Sequence, residues 1–320
     1  MTTVPTANGS ADSGSLGRTL MHEHIFVITT EVQQNHDEWD EEERVADAIE
    51  KLRALKAAGY DTVVDLTVIG LGRYIPRIVR IAKQVDINII VATGVYTYDR
   101  APAYFKFRGP AVGQPEPMVD MFVRDITEGI PGTDGVRAGV LKCAIDHEGM
   151  VKDVERVLRA VAAAHRKTGA PITVHTHPES KRGLEVHRVF SDEGVDPQRV
   201  VLGHSGDSSD ADHLSELADL GYLLGMDRFG VDLMPFEARV GIVAEMARRG
   251  YADRMVLAHD AACYFDWLDP AAAFATPNWH YLHIENDVLP ALRKEGVTDE
   301  QIDQMLIGNP RRYFENVTPY

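Results

Sequence analysis

A repeating alternation of short strand-like runs and longer helix-periodic stretches constrains this chain more than any other feature. The runs fall at residues 21–26, 62–66, 88–92, 138–143, 171–175, 199–203, 222–225 and 255–259. Several are apolar almost throughout, as expected for strands of a parallel sheet covered on both faces. Between them, residues 43–58, 75–84, 117–129, 151–168, 182–193, 208–220 and 235–249 carry apolar side chains near helical spacing. Parallel neighbours need a crossover connection, and a helix supplies it.

Eight such units in 320 residues describe an α/β chain folded as a (β/α)8 barrel, whose active site belongs at the C-terminal strand ends. Residues 18–320 are expected to form that one domain, behind a flexible polar leader at 1–17. An extended loop is expected after the eighth strand, at about 261–283, carrying Trp267 and Trp279. A doubly wound open sheet competes with this reading. Against it, no G-x-G-x-x-G follows the first strand, and no phosphate-binding loop is present.

A net charge of -16 argues against nucleic acid or an anionic membrane as partner, since both need clustered Lys and Arg. The two cysteines, Cys143 and Cys263, sit among apolar residues and suit reduced thiols. The leader lacks a basic and apolar secretory pattern, and no apolar run approaches the roughly 18 residues that span a bilayer. A cytoplasmic protein is expected.

Metal-competent side chains fall repeatedly at the strand ends. His22 and His24 lie one residue apart in the first strand, where i and i+2 share a face and both imidazoles can reach one ion. Lys142 lies in the fourth strand, His175 ends the fifth, His204 follows the sixth and Asp260 ends the eighth. Four histidines and an aspartate can hold two divalent ions, which then need a bridging anion. Burial depresses the Lys142 ammonium, and a neutral amine can add carbon dioxide to become a bridging carbamate. The alternative is a lysine reaching out from the strand end to a carboxylate such as Asp146.

His22-x-His24, Val140-Leu141-Lys142, Thr173-Val174-His175-Thr176, Gly203-His204-Ser205-Gly206-Asp207 and His259-Asp260 resemble the metal-site motifs of the phosphotriesterase family, in the amidohydrolase superfamily. They occur in family order across nearly the whole chain. Through Ile69-Gly70-Leu71-Gly72-Arg73, Gly94-Val95-Tyr96-Thr97-Tyr98 and Gly225-Met226-Asp227-Arg228-Phe229-Gly230, the resemblance is to the phosphotriesterase-like lactonases. It implies that His22, His24 and Asp260 hold a buried ion, His175 and His204 a more exposed one, and carboxylated Lys142 both. Zinc is the expected metal, with cobalt, manganese or iron also suited to such donors.

The resemblance further implies that Tyr96 faces the metals and that Arg228 belongs to the seventh strand-end loop. Cys263 would lie near the start of the eighth loop, which shapes an acyl-chain pocket, or else in packing. Leu71, Tyr98, Phe229 and Trp267 complete the expected substrate contacts, within an apolar loop set that includes Tyr104, Phe105, Phe107 and Phe265. His177 departs from the family and is not expected to be a ligand, and His259 should point away from Asp260.

The expected reaction is ring opening of an N-acyl homoserine lactone by a metal-bridging hydroxide, a quorum-quenching activity with weaker phosphotriesterase activity beside it. In it Tyr96 steadies the oxyanion, Asp260 moves the proton to the leaving alkoxide, and His204 or Asp207 relays protons outward. A primary organophosphate triesterase and a non-catalytic, metal-stabilised binding protein are the competing readings. Related enzymes imply a homodimer.

Overall fold

The computed structural model describes residues 2–36, 39–269 and 276–320. Its strands are β1 (Thr3–Thr6), β2 (Gly9–Asp12), β3 (Thr19–Val27), β4 (Thr62–Asp65), β5 (Asn88–Gly94), β6 (Val140–Ile145), β7 (Ile172–Thr176), β8 (Val200–Gly203), β9 (Leu223–Met226), β10 (Met255–Leu257) and β11 (Ala262–Phe265). The last nine form one parallel sheet in the order β10-β9-β8-β7-β6-β5-β4-β3-β11. That sheet is curled. β10 pairs with β9, β11 pairs with β3, and Asp260 between them donates its amide to the His22 carbonyl at 3.0 Å.

The eighth expected strand is therefore two strands. Asp260 takes a left-handed φ of 54°, which breaks extended geometry after Leu257, and the chain resumes as β11 inside the segment expected to be a loop. Residues 270–275 of that expected loop lie outside the described residues.

Helices cover the outer face of the sheet. In Lys152–Thr168, Val154, Val157, Leu158, Val161 and His165 are buried at helical spacing, and Gly169 ends the helix with a φ of 74°. Helix Glu41–Ala57 begins at Asp40, whose carboxylate accepts from the amides of Glu42 and Glu43, each at 3.0 Å. The strand pleat then sorts alternate residues into two cores. Val63, Ile89, Val91 and Leu141 pack toward the helices, while Val64, Ile90, Ala92 and Val140 fill the interior. Each such aliphatic side chain contributes about 1.5–3 kcal/mol by leaving water.

The interior is plugged from below by helix Asn309–Glu315, where Tyr313 and Phe314 join the inner core and Tyr313 Oη lies 3.1 Å from Thr173 Oγ1.

The expected flexible leader is instead an ordered hairpin. β1 and β2 pair in register from Thr3 opposite Asp12 to Thr6 opposite Gly9. Ala7 donates its amide to the Ile89 carbonyl at 2.8 Å, Thr62 Oγ1 donates to the Leu16 carbonyl at 2.6 Å, and Val4 and Leu16 are buried. These few apolar anchors dock an otherwise polar segment under the sheet. Among the described residues, no helix is long and apolar enough to cross a membrane.

Candidate metal centre

Six donors converge at the C-terminal end of the curled sheet. His22 and His24 stand in β3 beside a register shift between Leu20 and Glu23, and Lys142 projects from β6 into the interior. His175 lies in β7, His204 follows β8 and Asp260 follows β10. His22 Nε2 is 3.1 Å from Lys142 Nζ and 3.4 Å from Asp260 Oδ1, and His24 Nε2 is 3.2 Å from the same oxygen. On the other side, His204 Nε2 is 2.8 Å from His175 Nδ1 and 4.0 Å from Asp260 Oδ2. The ligand atoms of His22, His24 and Asp260 lie within 4.8 Å of one another.

Each of the four histidines is held by one nitrogen and presents the other to this common point. Asp227 bonds Nδ1 of His22 at 2.7 Å and Nδ1 of His204 at 2.9 Å. Thr67 Oγ1 is 2.9 Å from His24 Nδ1, and Asp146 bonds Nε2 of His175. Such outer partners fix ring orientation and tautomer, the usual arrangement around a metal-binding imidazole. The donor set therefore fits a divalent cation.

The electrostatics agree. Burial lowers the pKa of His22, takes His175 down to about 4 and His204 well below its ordinary value, so these imidazoles stay neutral and keep a lone pair. Burial likewise pulls Lys142, 1% exposed, down to about 8, a value that gives a useful fraction of free amine near neutrality. Burial favours the acid form of Asp260, but its neighbours, the always-protonated Arg228 among them, outweigh it and hold the carboxylate well below its usual range.

Backbone strain is concentrated at the same place. Of the three non-glycine residues with positive φ among the described residues, two are donors, His204 at 66° and Asp260 at 54°. Such conformations cost of order 1–3 kcal/mol and persist where surrounding bonds over-determine them. For Asp260 those bonds are visible. Its own amide is tied to His22, while Glu23 accepts from the amides of His259 at 2.8 Å and Ala261 at 2.9 Å. Gly225 leaves room for the Asp227 carboxylate, since a Cβ there would lie 2.3 Å from Asp227 Oδ2.

Above the donors opens a cavity of about 240 Å³ with a polar floor and apolar walls, Leu71, Tyr96, Tyr98, Phe265, Trp267 and Trp279 among them. Leu233 and Trp267, 67% and 45% exposed, stand at its mouth. Tyr96 and Tyr98 both pack against the His175 ring at 5.3 Å and share a hydroxyl contact.

The sequence pattern of the phosphotriesterase family matches residues 2–314. The chain belongs to the phosphotriesterase family. Like other members, it is a metal-dependent hydrolase. It is 36% identical to an aryldialkylphosphatase of Saccharolobus solfataricus, over 95% of this chain and 97% of that one. It superposes on the phosphotriesterase of Mycobacterium tuberculosis with a TM-score of 0.97 and 58% identity, over 99% of this chain and 100% of that one. A substituted phosphotriesterase-like lactonase from Deinococcus radiodurans gives a TM-score of 0.88 and 33% identity, over 97% and 99% of the two chains.

In this phosphotriesterase-family chain the structure brings His22, His24, Lys142, His175, His204 and Asp260 together, and it places Leu71, Tyr96, Tyr98, Arg228 and Trp267 on the cavity wall. It does not place Phe229 there. Phe229 and Phe105 are buried in the outer core, and Tyr104 and Phe107 are exposed away from the cavity lining. Cys263 is also a packing residue, its Sγ donating to Tyr281 Oη at 3.4 Å beneath the cavity. Phe229, Phe105 and Cys263 thus face the outer core rather than the cavity, a choice that apolarity alone does not encode.

Two further expectations are replaced. Lys142 does not reach Asp146, whose carboxylate holds His175 and His147 instead. Asp207, one of the two expected outward proton relays, accepts from Arg228 Nη1 at 3.0 Å and from buried Arg239. Arg228 Nε in turn reaches Asp260 Oδ2 at 3.3 Å, so an always-protonated guanidinium stands where an outward relay was expected. His177 bonds Ser180 Oγ outside the cavity, and His259 bonds Glu23 away from it.

Asp227, Thr67 and Glu23 were not singled out by sequence reasoning. The signal for Asp227 was present, a carboxylate closing the apolar run Leu223–Met226 as the other donors close theirs.

Proposed function

We propose that this enzyme opens lactone rings, N-acyl homoserine lactones above all, on a binuclear metal centre at the mouth of a closed (β/α)8 barrel. The observation that carries the reading is the cavity itself, six metal-competent donors on the floor beneath aromatic and aliphatic walls. A lactone headgroup suits the floor and an acyl chain suits the walls.

His22, His24 and Asp260 would hold one cation, His175 and His204 the other, and Lys142 both. For that role the Lys142 amine adds to carbon dioxide: a C–N bond forms, one proton leaves to solvent, and a carbamate anion results. Two bound cations supply a water acidified toward neutrality and an electrophile polarised at its oxygen. Zinc is our choice of ion, although the donors also accept cobalt, manganese and iron.

The remaining steps belong to side chains. Burial and the neighbouring Tyr98 keep the Tyr96 phenol protonated, so it donates to the oxygen on which charge develops. Asp260, held ionised, takes the proton of the attacking water and returns it to the alkoxide as the ring C–O bond breaks. Arg228 holds Asp260 Oδ2 in place for both transfers. Leu233 and Trp267 exclude water from the acyl end.

The Deinococcus lactonase supports the lactone reading, and the Saccharolobus aryldialkylphosphatase supports organophosphate hydrolysis as the second activity. Kinetics on a long-chain acyl homoserine lactone beside paraoxon separate them. The larger kcat/KM is expected for the lactone, and a larger value for paraoxon would overturn the assignment. We further propose a homodimeric enzyme with a quorum-quenching role and a cytoplasmic location, and for the location alone the two buried free cysteines are supporting.

A further inference from the structure

Two histidines near Asp146 take no part in the proposed hydrolysis. His147 follows the end of β6, and its ring lies 6.3 Å from that of His177, which follows β7. His147 Nδ1 is 2.8 Å from Asp146 Oδ1, and its Nε2 is 3.1 Å from Glu148 Oε1. Both ring nitrogens of His147 are thus directed at carboxylate oxygens, and the ring and the two carboxylates converge on one small volume. His177 Nδ1 is taken up by Ser180 Oγ at 2.8 Å, which leaves Nε2 as its remaining ligand atom.

We propose that Asp146, His147, Glu148 and His177 form a separate rim site for one zinc-type transition-metal ion. Ligand atoms of the first three already lie within 4.8 Å of one another. With His177 they make a two-imidazole, two-carboxylate set suited to tetrahedral coordination, and the imidazoles select against magnesium and calcium. Zn–N bonds of about 2.0–2.1 Å put the centroids of two coordinated rings about 5–6 Å apart, so a small turn of the exposed His147 closes the geometry. Arg182 steadies the loop that carries three of the four donors, giving hydrogen bonds to the carbonyls of Asp146 at 3.1 Å and His147 at 2.6 Å.

The rim site is coupled to the cavity through one carboxylate, because Asp146 Oδ2 is also the partner of His175 Nε2. An ion that draws on Asp146 loosens the bond orienting His175. Filling the rim site therefore weakens metal binding at His175 and slows hydrolysis, and the binding effect is reciprocal: a fully loaded cavity weakens rim binding. The activity side of this coupling rests on the proposed function, whereas the metal count does not.

The test is equilibrium dialysis of the metal-loaded enzyme against rising free zinc, with metal counted per chain, for the wild type and the double variant His147→Ala/His177→Ala. The wild type is expected to take up one zinc more than the double variant. The single variant His177→Ala should shift that extra uptake about tenfold toward higher zinc. Lactone hydrolysis by the wild type should fall over the same zinc range while the double variant resists. Equal zinc counts in the two proteins at every concentration would overturn the rim site. Unequal counts with equal inhibition would overturn its coupling to His175.

Discussion

The backbone amide of Asp260 donates to the carbonyl of His22 at 3.0 Å, which ties the last donor of the centre to the first through the main chain. The bond that ties β3 to the residue between β10 and β11 is thus also the bond that sets the spacing of two donors. Glu23 reinforces it from the neighbouring position, accepting the amides on either side of Asp260. Glu23→Gln would turn an amide N–H toward one of those donors. We expect a loss of about 1–3 kcal/mol in urea unfolding together with weaker metal retention on dialysis. Unchanged values of both would show that the strained Asp260 backbone needs no clamp.

Asp227 serves two imidazoles at once, His22 and His204, and so links the two halves of the donor set. Asp227→Asn keeps the volume but cannot accept at both oxygens. Metal affinity should fall about 10- to 100-fold, with kcat falling alongside, as measured by metal content against a competing chelator. An equal effect from changing a residue that touches only one histidine would argue against the shared role.

Acid should destabilise the fold through histidines remote from or beneath the cavity. Burial lowers His165, which donates Nδ1–H to the Ala170 carbonyl at 2.7 Å, and takes His259 down to about 3. Both are neutral in the folded chain and ordinary in the unfolded one, so the unfolded state binds more protons below its pKa of about 6.5. Their contribution is complete above that pH and is lost as the pH falls toward the folded values, at up to about 1.4 kcal/mol per pH unit for His259. Urea midpoints at falling pH should show this slope, and His165→Gln should make it shallower. Parallel slopes for the two proteins would contradict the assignment.

Trp267 tests the acyl end of the cavity. Trp267→Ala should lower kcat/KM for a long-chain lactone about tenfold while a short-chain one changes less than about twofold. Equal losses on both would place Trp267 outside the acyl path.

The sequence made the donors legible because each closes an apolar, β-branched run, and a parallel sheet collects such ends at one rim. Their partners were not legible for the opposite reason. Asp227 meets His22 across 205 residues, and nothing local distinguishes it from any other strand-end aspartate. The N-terminal hairpin was hidden because its stability comes from contacts with Ile89 and Thr62 rather than from its own composition. Phe229 was misplaced, and Cys263 took packing, one of its two expected places, because apolarity serves core and cavity alike. The division of the last strand follows from one left-handed residue, Asp260, whose conformation is imposed by Glu23 and His22.

Lys142 offers the most direct measurement of the central claim. It is the only donor reaching the interior from β6, and the proposal assigns both cations to it. Metal content and lactone hydrolysis should be measured on the wild type and on Lys142→Ala with matched far-UV circular dichroism. The account predicts two divalent ions per chain in the cavity of the wild type, and loss of bound metal with collapse of activity in the variant. A variant that keeps both its metal and its activity would contradict it.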